Sequence, residues 1–186
     1  GRFYNISAYR QAYIYSTGNS ERRENMEFYP EGMNAELDRQ FTTPEALRRA
    51  MMQGSVLESR VLLCDREHNL HVHLFLSMLE HPDGTVRDIA LISKVGKRVC
   101  FSILGFQRED DGPFTAILSR RAVQLRCKAE FLDTLEPGDV IPARVTHLEK
   151  FGAFIDVGAG LNALIPIDML SVSRIDHPRA RLREGQ

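Results

Sequence analysis

Gly54-Ser55-Val56-Leu57-Glu58-Ser59-Arg60-Val61 and Gly138-Asp139-Val140-Ile141-Pro142-Ala143-Arg144-Val145 both read G-x-V-[LI]-x-x-R-V, 84 residues apart. Two further blocks follow in the same order. Asn69-Leu70-His71-Val72-His73-Leu74 aligns with Gly152-Ala153-Phe154-Ile155-Asp156-Val157 after one residue of loop is lost, and Val95-Gly96-Lys97 aligns with Glu184-Gly185-Gln186. A chain that repeats itself in this way has to build one supersecondary unit twice. The alternating character of the first two blocks makes them strands. A period of 84 residues is too long for a solenoid repeat of roughly 20 to 50 residues and suits a small barrel of about five strands plus a helical spacer.

The spacer is legible between the copies. From Ser119 to Leu132 the residues Ala122, Leu125, Ala129 and Leu132 recur at three and four positions, which predicts an amphipathic helix with those four on its inward face. It ends at Glu136-Pro137-Gly138, a turn into the second copy. A shorter helix is expected at 41–53, with a Thr42-Thr43 cap, Pro44 in the first turn, Glu45 placed for a capping box and Gly54 as the stop. Leu47 and Met51 are its expected inward side chains. Residues 1–40 form an extension that holds all five tyrosines. Within it, Glu21-Arg22-Arg23-Glu24-Asn25 before Met26 can be written in purine-only codons, as a translated ribosome-binding site would be, which makes Met26 a candidate native start.

With 43% apolar and 26% charged residues the chain is composed like an ordinary globular protein, which excludes wholesale disorder and collagen-like sequence. No run approaches the roughly 20 apolar residues that span a bilayer, so the expectation is a cytoplasmic protein without a membrane partner. Cys64, Cys100 and Cys127 are widely spaced and odd in number, against both a disulfide framework and a cysteine zinc site. They are expected as small buried apolar side chains. The net charge of −1 offers no general attraction to a polyanion, but eight basic against three acidic residues give 94–128 a local charge of +5.

The second copy resembles a known family. Phe151-Gly152-Ala153-Phe154-Ile155-Asp156-Val157-Gly158, then Leu164-Ile165-Pro166-Ile167, His177-Pro178 and Gly185-Gln186 follow the order of the RNA-binding domain named after ribosomal protein S-one. Ser119-Arg120-Arg121 resembles the sequence that closes such domains, which assigns 54–121 to a divergent first copy and 135–186 to the second, with 122–134 as the linking helix. The resemblance implies a mainly β protein with some α, two tandem OB-fold-like five-stranded β-barrels joined by an α-helix, the second lacking its last strands. It also implies a non-enzymatic function: binding of single-stranded RNA, on or off the ribosome, with no cofactor. In such barrels bases stack on exposed aromatics of the second and third strands while basic groups follow the phosphates. On this chain Phe151 and Phe154 are the candidate stacking pair, with Lys150, Arg144, Arg174, Arg179, Arg120 and Arg121 as candidate phosphate contacts. His68 and His71 hold the aromatic positions of the first copy. The chain departs from the family at Pro166, where a histidine is usual, and at Asp168, where a serine is usual, so a donor is lost and a negative charge gained.

Two other readings use the same residues. His68, His71 and His73, near Cys64, Asp65 and His81, could hold a metal ion, but no motif spacing completes a ligand set and no metal is expected. A protein-docking scaffold that kept the barrel and lost the ligand would fit Pro166 and the near-zero charge. Neither a Walker loop, a dinucleotide glycine fingerprint nor a G-x-S-x-G elbow is present to support an enzyme.

Overall fold

The computed structural model describes residues 4–5, 28–33, 43–66, 69–73, 77–80, 92–108 and 114–186. Met26, His68 and His81 lie outside the described residues. The chain divides into two compact units, 31–126 and 1–30 with 127–186. Each carries one copy of the repeat, and the division falls inside the helix between them.

In the first unit, β2 (Leu57–Cys64), β3 (Leu70–His73), β4 (Ser77–Glu80), β6 (Phe114–Ser119) and β5 (Arg98–Arg108) pair in that order, and β5 pairs back onto β2 to close a barrel. Ser77–Glu80 supplies the third strand, β4, antiparallel to β3 and parallel to β6. Leu57, Val61, Leu70, Val72, Val99 and Phe101 fill the interior, as alternation requires. The helix α1 (Pro44–Gln53) belongs to this core, because Leu47 and Ala50 are buried in it. Met51, expected inward, is half-buried and packs against the same core. The Thr43 hydroxyl accepts from the Ala46 N–H at 3.2 Å, and Gly54 stops the helix in the left-handed region at φ 63°. With Thr43 as cap, Glu45 is the second helical residue and not the third, so the expected capping box does not form.

The linking helix α2 (Arg120–Glu130) starts directly from β6, with the Ser119 hydroxyl accepting from the Ala122 N–H at 3.0 Å. Its buried residues are Val123 and Cys127, not the expected set: Leu125 is 56% exposed and Ala129 is exposed. The reading by spacing ran two residues too far. The α-helix ends at Glu130 and Leu132 opens a separate 3-10 turn, Leu132–Thr134, so the apolar recurrence did not trace one helical face.

In the second unit, β7 (Arg144–Glu149), β8 (Gly152–Asp156) and β9 (Asn162–Pro166) form an antiparallel sheet, with β1 (Tyr4–Asn5) added parallel to β9. Among the described residues this sheet is open, in line with the expected incomplete second barrel. The parallel pairing of β1 on β9 matches in kind that of β6 on β4. Val145, Leu148, Ala153, Ile155, Ala163 and Leu182 make the core.

The repeat is exact in the hydrogen bonds. In the first unit Gly96 N–H donates to Val61 O at 2.9 Å and Val61 N–H to Lys97 O at 2.9 Å; in the second, Gly185 N–H donates to Val145 O at 2.7 Å and Val145 N–H to Gln186 O at 2.8 Å. Both glycines sit at positive φ, 79° and 85°, as this turn back onto the strand demands. The strand register repeats as well. Val61 pairs Val72 and Leu63 pairs His71 across an irregularity, just as Val145 pairs Ile155 and His147 pairs Phe154.

Candidate nucleic-acid interface

On β8 the side chains alternate: Ala153 and Ile155 enter the core, and Phe154 between them stands on the outer face. Phe151, 56% exposed, precedes the strand and meets Phe154 edge to face, with ring centroids 5.9 Å apart and planes at 89°. The Phe151 backbone is fixed by the Ile167 N–H, which donates to its carbonyl at 2.9 Å. Gly152 between the two rings is forced by space: a Cβ there would lie 2.4 Å from the Ile165 carbonyl oxygen. The F-G-A-F sequence therefore presents two rings over one sheet, and any side chain at its glycine would push β8 off β9.

Across β7 from Phe154 stands His147, a residue that sequence reasoning missed. Its ring lies 6.4 Å from that of Phe154 with planes 25° apart. Strict alternation after the buried Val145 would turn residue 147 inward. The irregularity between Val145 and His147 inserts Thr146 and reverses the direction. The Thr146 hydroxyl donates to the Phe154 carbonyl at 3.2 Å, holding the bulge in place. Alternation read along the sequence gives no sign of this bulge.

Both nitrogens of His147 face carboxylates, Nε2 at 2.7 Å from Glu149 and Nδ1 at 3.2 Å from Glu184. The bond to Glu149 raises the imidazole above its ordinary pKa against the opposing cost of desolvation, and the charges of Glu149 and Glu184 add to the rise. Asp156, in the same outward alternation as Phe154, is buried, and its Oδ1 accepts from the Gly158 N–H at 2.9 Å and the Gly160 N–H at 3.1 Å. It fixes the turn that leads to β9. Opposite Gly152 on β9 is Pro166, so the place where the family carries a histidine presents an apolar ring.

The remaining candidates separate into two groups. Lys150, Arg174 and Arg179 are exposed in the second unit, and Arg144 is half-buried at the start of β7, with its guanidinium beside Gly185. Arg121 is exposed on α2 in the other unit. Arg120 is corrected as a phosphate contact: its side chain is 12% exposed and paired with buried Glu31. Lys94 reaches the same carboxylate at 2.9 Å. Burial alone would raise Glu31, yet Arg120 and Lys94 together bring it down to about 2. The rest of the basic stripe on α2 is also engaged, Arg126 with the Gly54 carbonyl at 2.7 Å and Lys128 with Asp133 at 2.7 Å.

His71 occupies on β3 the ladder position that Phe154 has on β8, as the alignment required. Its ring is held by Asp65 at 2.8 Å. Against the cost of burial, the bonds from His71 and Asn69 lower the Asp65 carboxyl to about 2. Among the described residues no group of three or more His, Cys, Asp or Glu side chains could hold a metal ion. Cys100 and Cys127 are buried and Cys64 is half-buried, and none of the three is in a disulfide. No helix among the described residues is long and apolar enough to cross a membrane.

Residues 134–186 match the family model of the S1 RNA binding domain. The chain is similar to the small ribosomal subunit protein bS1 homolog of Bacillus subtilis, 37% identical over 95 residues that are 49% of this chain and 24% of that protein. It is similar also to the small ribosomal subunit protein bS1 of Staphylococcus haemolyticus, 40% identical over 74 residues, 38% of this chain and 19% of the relative. Against the bS1 protein of Mycobacterium tuberculosis the identity is 29% over 157 residues, 81% of this chain and 31% of the relative, a stretch long enough to reach beyond the second copy. The chain spans less than a third of the length of these relatives.

Proposed function

We propose, for a chain that carries an S1 RNA binding domain across residues 134–186, that it binds single-stranded RNA without catalysis and works beside the ribosome in translation, as the names of its relatives suggest. The observation that carries this reading is the pair Phe151 and Phe154, an exposed ring and its edge-to-face neighbour on the outer face of β8. Unpaired bases stack on such rings with little regard to sequence, and each stacked base contributes about 1–3 kcal/mol. Among the described residues the face of β7, β8 and β9 presents no helix to enter a duplex groove, which favours single strands. Lys150, Arg174 and Arg179 supply exposed cations in the same unit, with Arg144 at the start of β7. The first unit acts as a structural companion, since the imidazole at its matching ladder position, His71, is tied to Asp65 at 2.8 Å.

The test is fluorescence anisotropy with a labelled single-stranded RNA of mixed sequence at low and at moderate salt. Saturable binding that weakens as salt rises is expected, and Phe151→Ala with Phe154→Ala should weaken it about 100-fold in a folded protein. Equal affinity in the double variant would move the site elsewhere. A second reading, a protein-docking face, draws on the carboxylates of Glu149 and Glu184 beside the rings and on exposed Asp168. The salt titration separates the two, because only phosphate contacts release counterions.

A further inference from the structure

We propose that His147 is the third ring of this face, stacking on a base of single-stranded RNA as an imidazolium while Glu149 and Glu184 hold its edge, so that RNA binding takes up a proton. The inference rests on the RNA-binding reading and adds to it a contact residue and a proton linkage.

Three features of the geometry converge. The bulge at Thr146 turns His147 to the side of the sheet that carries Phe154, and the two rings are direct cross-strand partners with planes 25° apart. The imidazole is half exposed, its side chain at 55%. Both ring nitrogens point at carboxylate oxygens, Nε2 to Glu149 at 2.7 Å and Nδ1 to Glu184 at 3.2 Å. A neutral imidazole has a single N–H, whereas the cation has two, so the arrangement selects the cation. With its edge occupied, the ring has only its faces to offer. A flat cation stacks on a base and answers the charge of the phosphate chain in one contact.

The groups that face the imidazole are Glu149 from β7, Glu184 from the carboxy-terminal segment and Phe154 from β8. The nearest other charges along the strand are Arg144 at its start and Lys150 just after its end. Asp156 on β8 is buried and engaged with Gly158 and Gly160. Bound RNA brings negative charge to a group that is already held as a cation, so its pKa rises further on binding. Affinity is then full at pH values below the free-protein pKa, falls through the window between the free and bound values, and levels off above it. An ordinary exposed ion pair would show none of this.

The experiment measures the affinity of the full chain for the labelled single-stranded RNA from pH 6 to pH 9, with melting curves to verify folding. Wild type should lose affinity across that range. His147→Ala should bind about tenfold more weakly at pH 6 and show little slope. His147→Phe should keep much of the affinity and lose the slope, and Glu149→Gln should move the midpoint to lower pH. Wild-type affinity in folded His147→Ala, or an unchanged pH profile in His147→Phe, overturns the proposal. If Phe151→Ala with Phe154→Ala loses binding while His147→Ala does not, only His147 is removed from the site. If wild type does not bind RNA, or the double phenylalanine variant binds as wild type does, the RNA reading fails and this proposal with it.

Discussion

Position for position, His71 on β3 stands where Phe154 stands on β8, and Asn69 stands where Gly152 stands. The two copies use these places oppositely. In the first, the imidazole is tied to Asp65, and Asn69 donates both its N–H and its side-chain amide to the same carboxylate, at 2.8 and 3.1 Å. In the second, the rings are left to the surface and the glycine lets β8 lie against β9. Some basic groups follow the same division, although Arg48, Arg49, Arg66, Lys97, Arg108 and Arg121 of the first unit are exposed. Arg98 pairs with buried Glu58 at 2.6 Å, Lys94 and Arg120 with buried Glu31, and Arg60 reaches the Gly96 carbonyl at 2.7 Å, while Lys150, Arg174 and Arg179 of the second unit are exposed. One ladder can thus be spent on holding a barrel together or on presenting a surface.

The contrast can be broken most forcefully at Glu31. Glu31→Gln leaves Arg120 and Lys94 without their shared anion and should destabilise the first unit by about 3–5 kcal/mol, read from the urea midpoint at neutral pH. The sign with pH follows from the lowered carboxyl. The wild-type advantage is present above the ordinary value of 4.5 and is lost as pH falls toward about 2. Wild type and variant should therefore converge in acid. A gap as wide at pH 2 as at pH 7 would mean that the ion cluster is not its source.

Gly152 tests the other side. Adding a methyl group, as Gly152→Ala, drives a Cβ to within 2.4 Å of the Ile165 carbonyl oxygen and 3.0 Å of Leu164 Cδ1. Backbone cannot yield as a flexible side chain can, so a loss of about 2 kcal/mol is expected in the second unit, with weaker RNA binding as β8 shifts. At the matching place in the first unit, Asn69→Ala loses the side-chain bond to Asp65, keeps the backbone N–H bond and meets no such clash. A smaller cost at Gly152 than at Asn69 would reverse the contrast.

How much of this could be read from the chain depends on how local each cause is. The repeat was legible to the residue, because strand alternation and a positive-φ glycine are set within a few positions; the pairing of Val61 with Val72 and of Val145 with Ile155 follows the block alignment. Phe151 and Phe154 were legible for the same reason. The fate of Arg120 was not, since its partner Glu31 lies 89 residues earlier and charge counting cannot say which way a guanidinium turns. His147 was hidden by the bulge, which breaks the alternation that the reading relied on. The strand β1 beside β9 is likewise a long-range fact, absent from any local pattern.

A subtler test asks whether the exposed cations of the second unit do what those of the first do not. Replacing Arg174 or Arg179 by Gln should lower the slope of log affinity against log salt by about 0.7 for each phosphate contact removed, with only a small loss at any one salt concentration. Arg121→Gln, on the first unit, should leave the slope closer to that of wild type. Equal slopes for all three would spread the phosphate path over both units.

The smallest expected effect is the one that defines the comparison. His71→Phe gives the first copy the ring that the second copy has at Phe154. If an aromatic at this ladder position were sufficient for binding, the variant should gain an RNA site. Its surroundings argue otherwise: Asp65 and Asn69, not a second ring and a glycine, are the established neighbours of residue 71, and freeing Asp65 from its imidazole adds a bare carboxylate beside the new ring. Removing the His71 bond should let the Asp65 carboxyl rise from about 2 toward its ordinary 3.8, which still leaves it ionised at neutral pH. The affinity and stoichiometry of RNA binding should therefore stay at the wild-type values. A second bound RNA would show that the first copy's face needs only one ring to work.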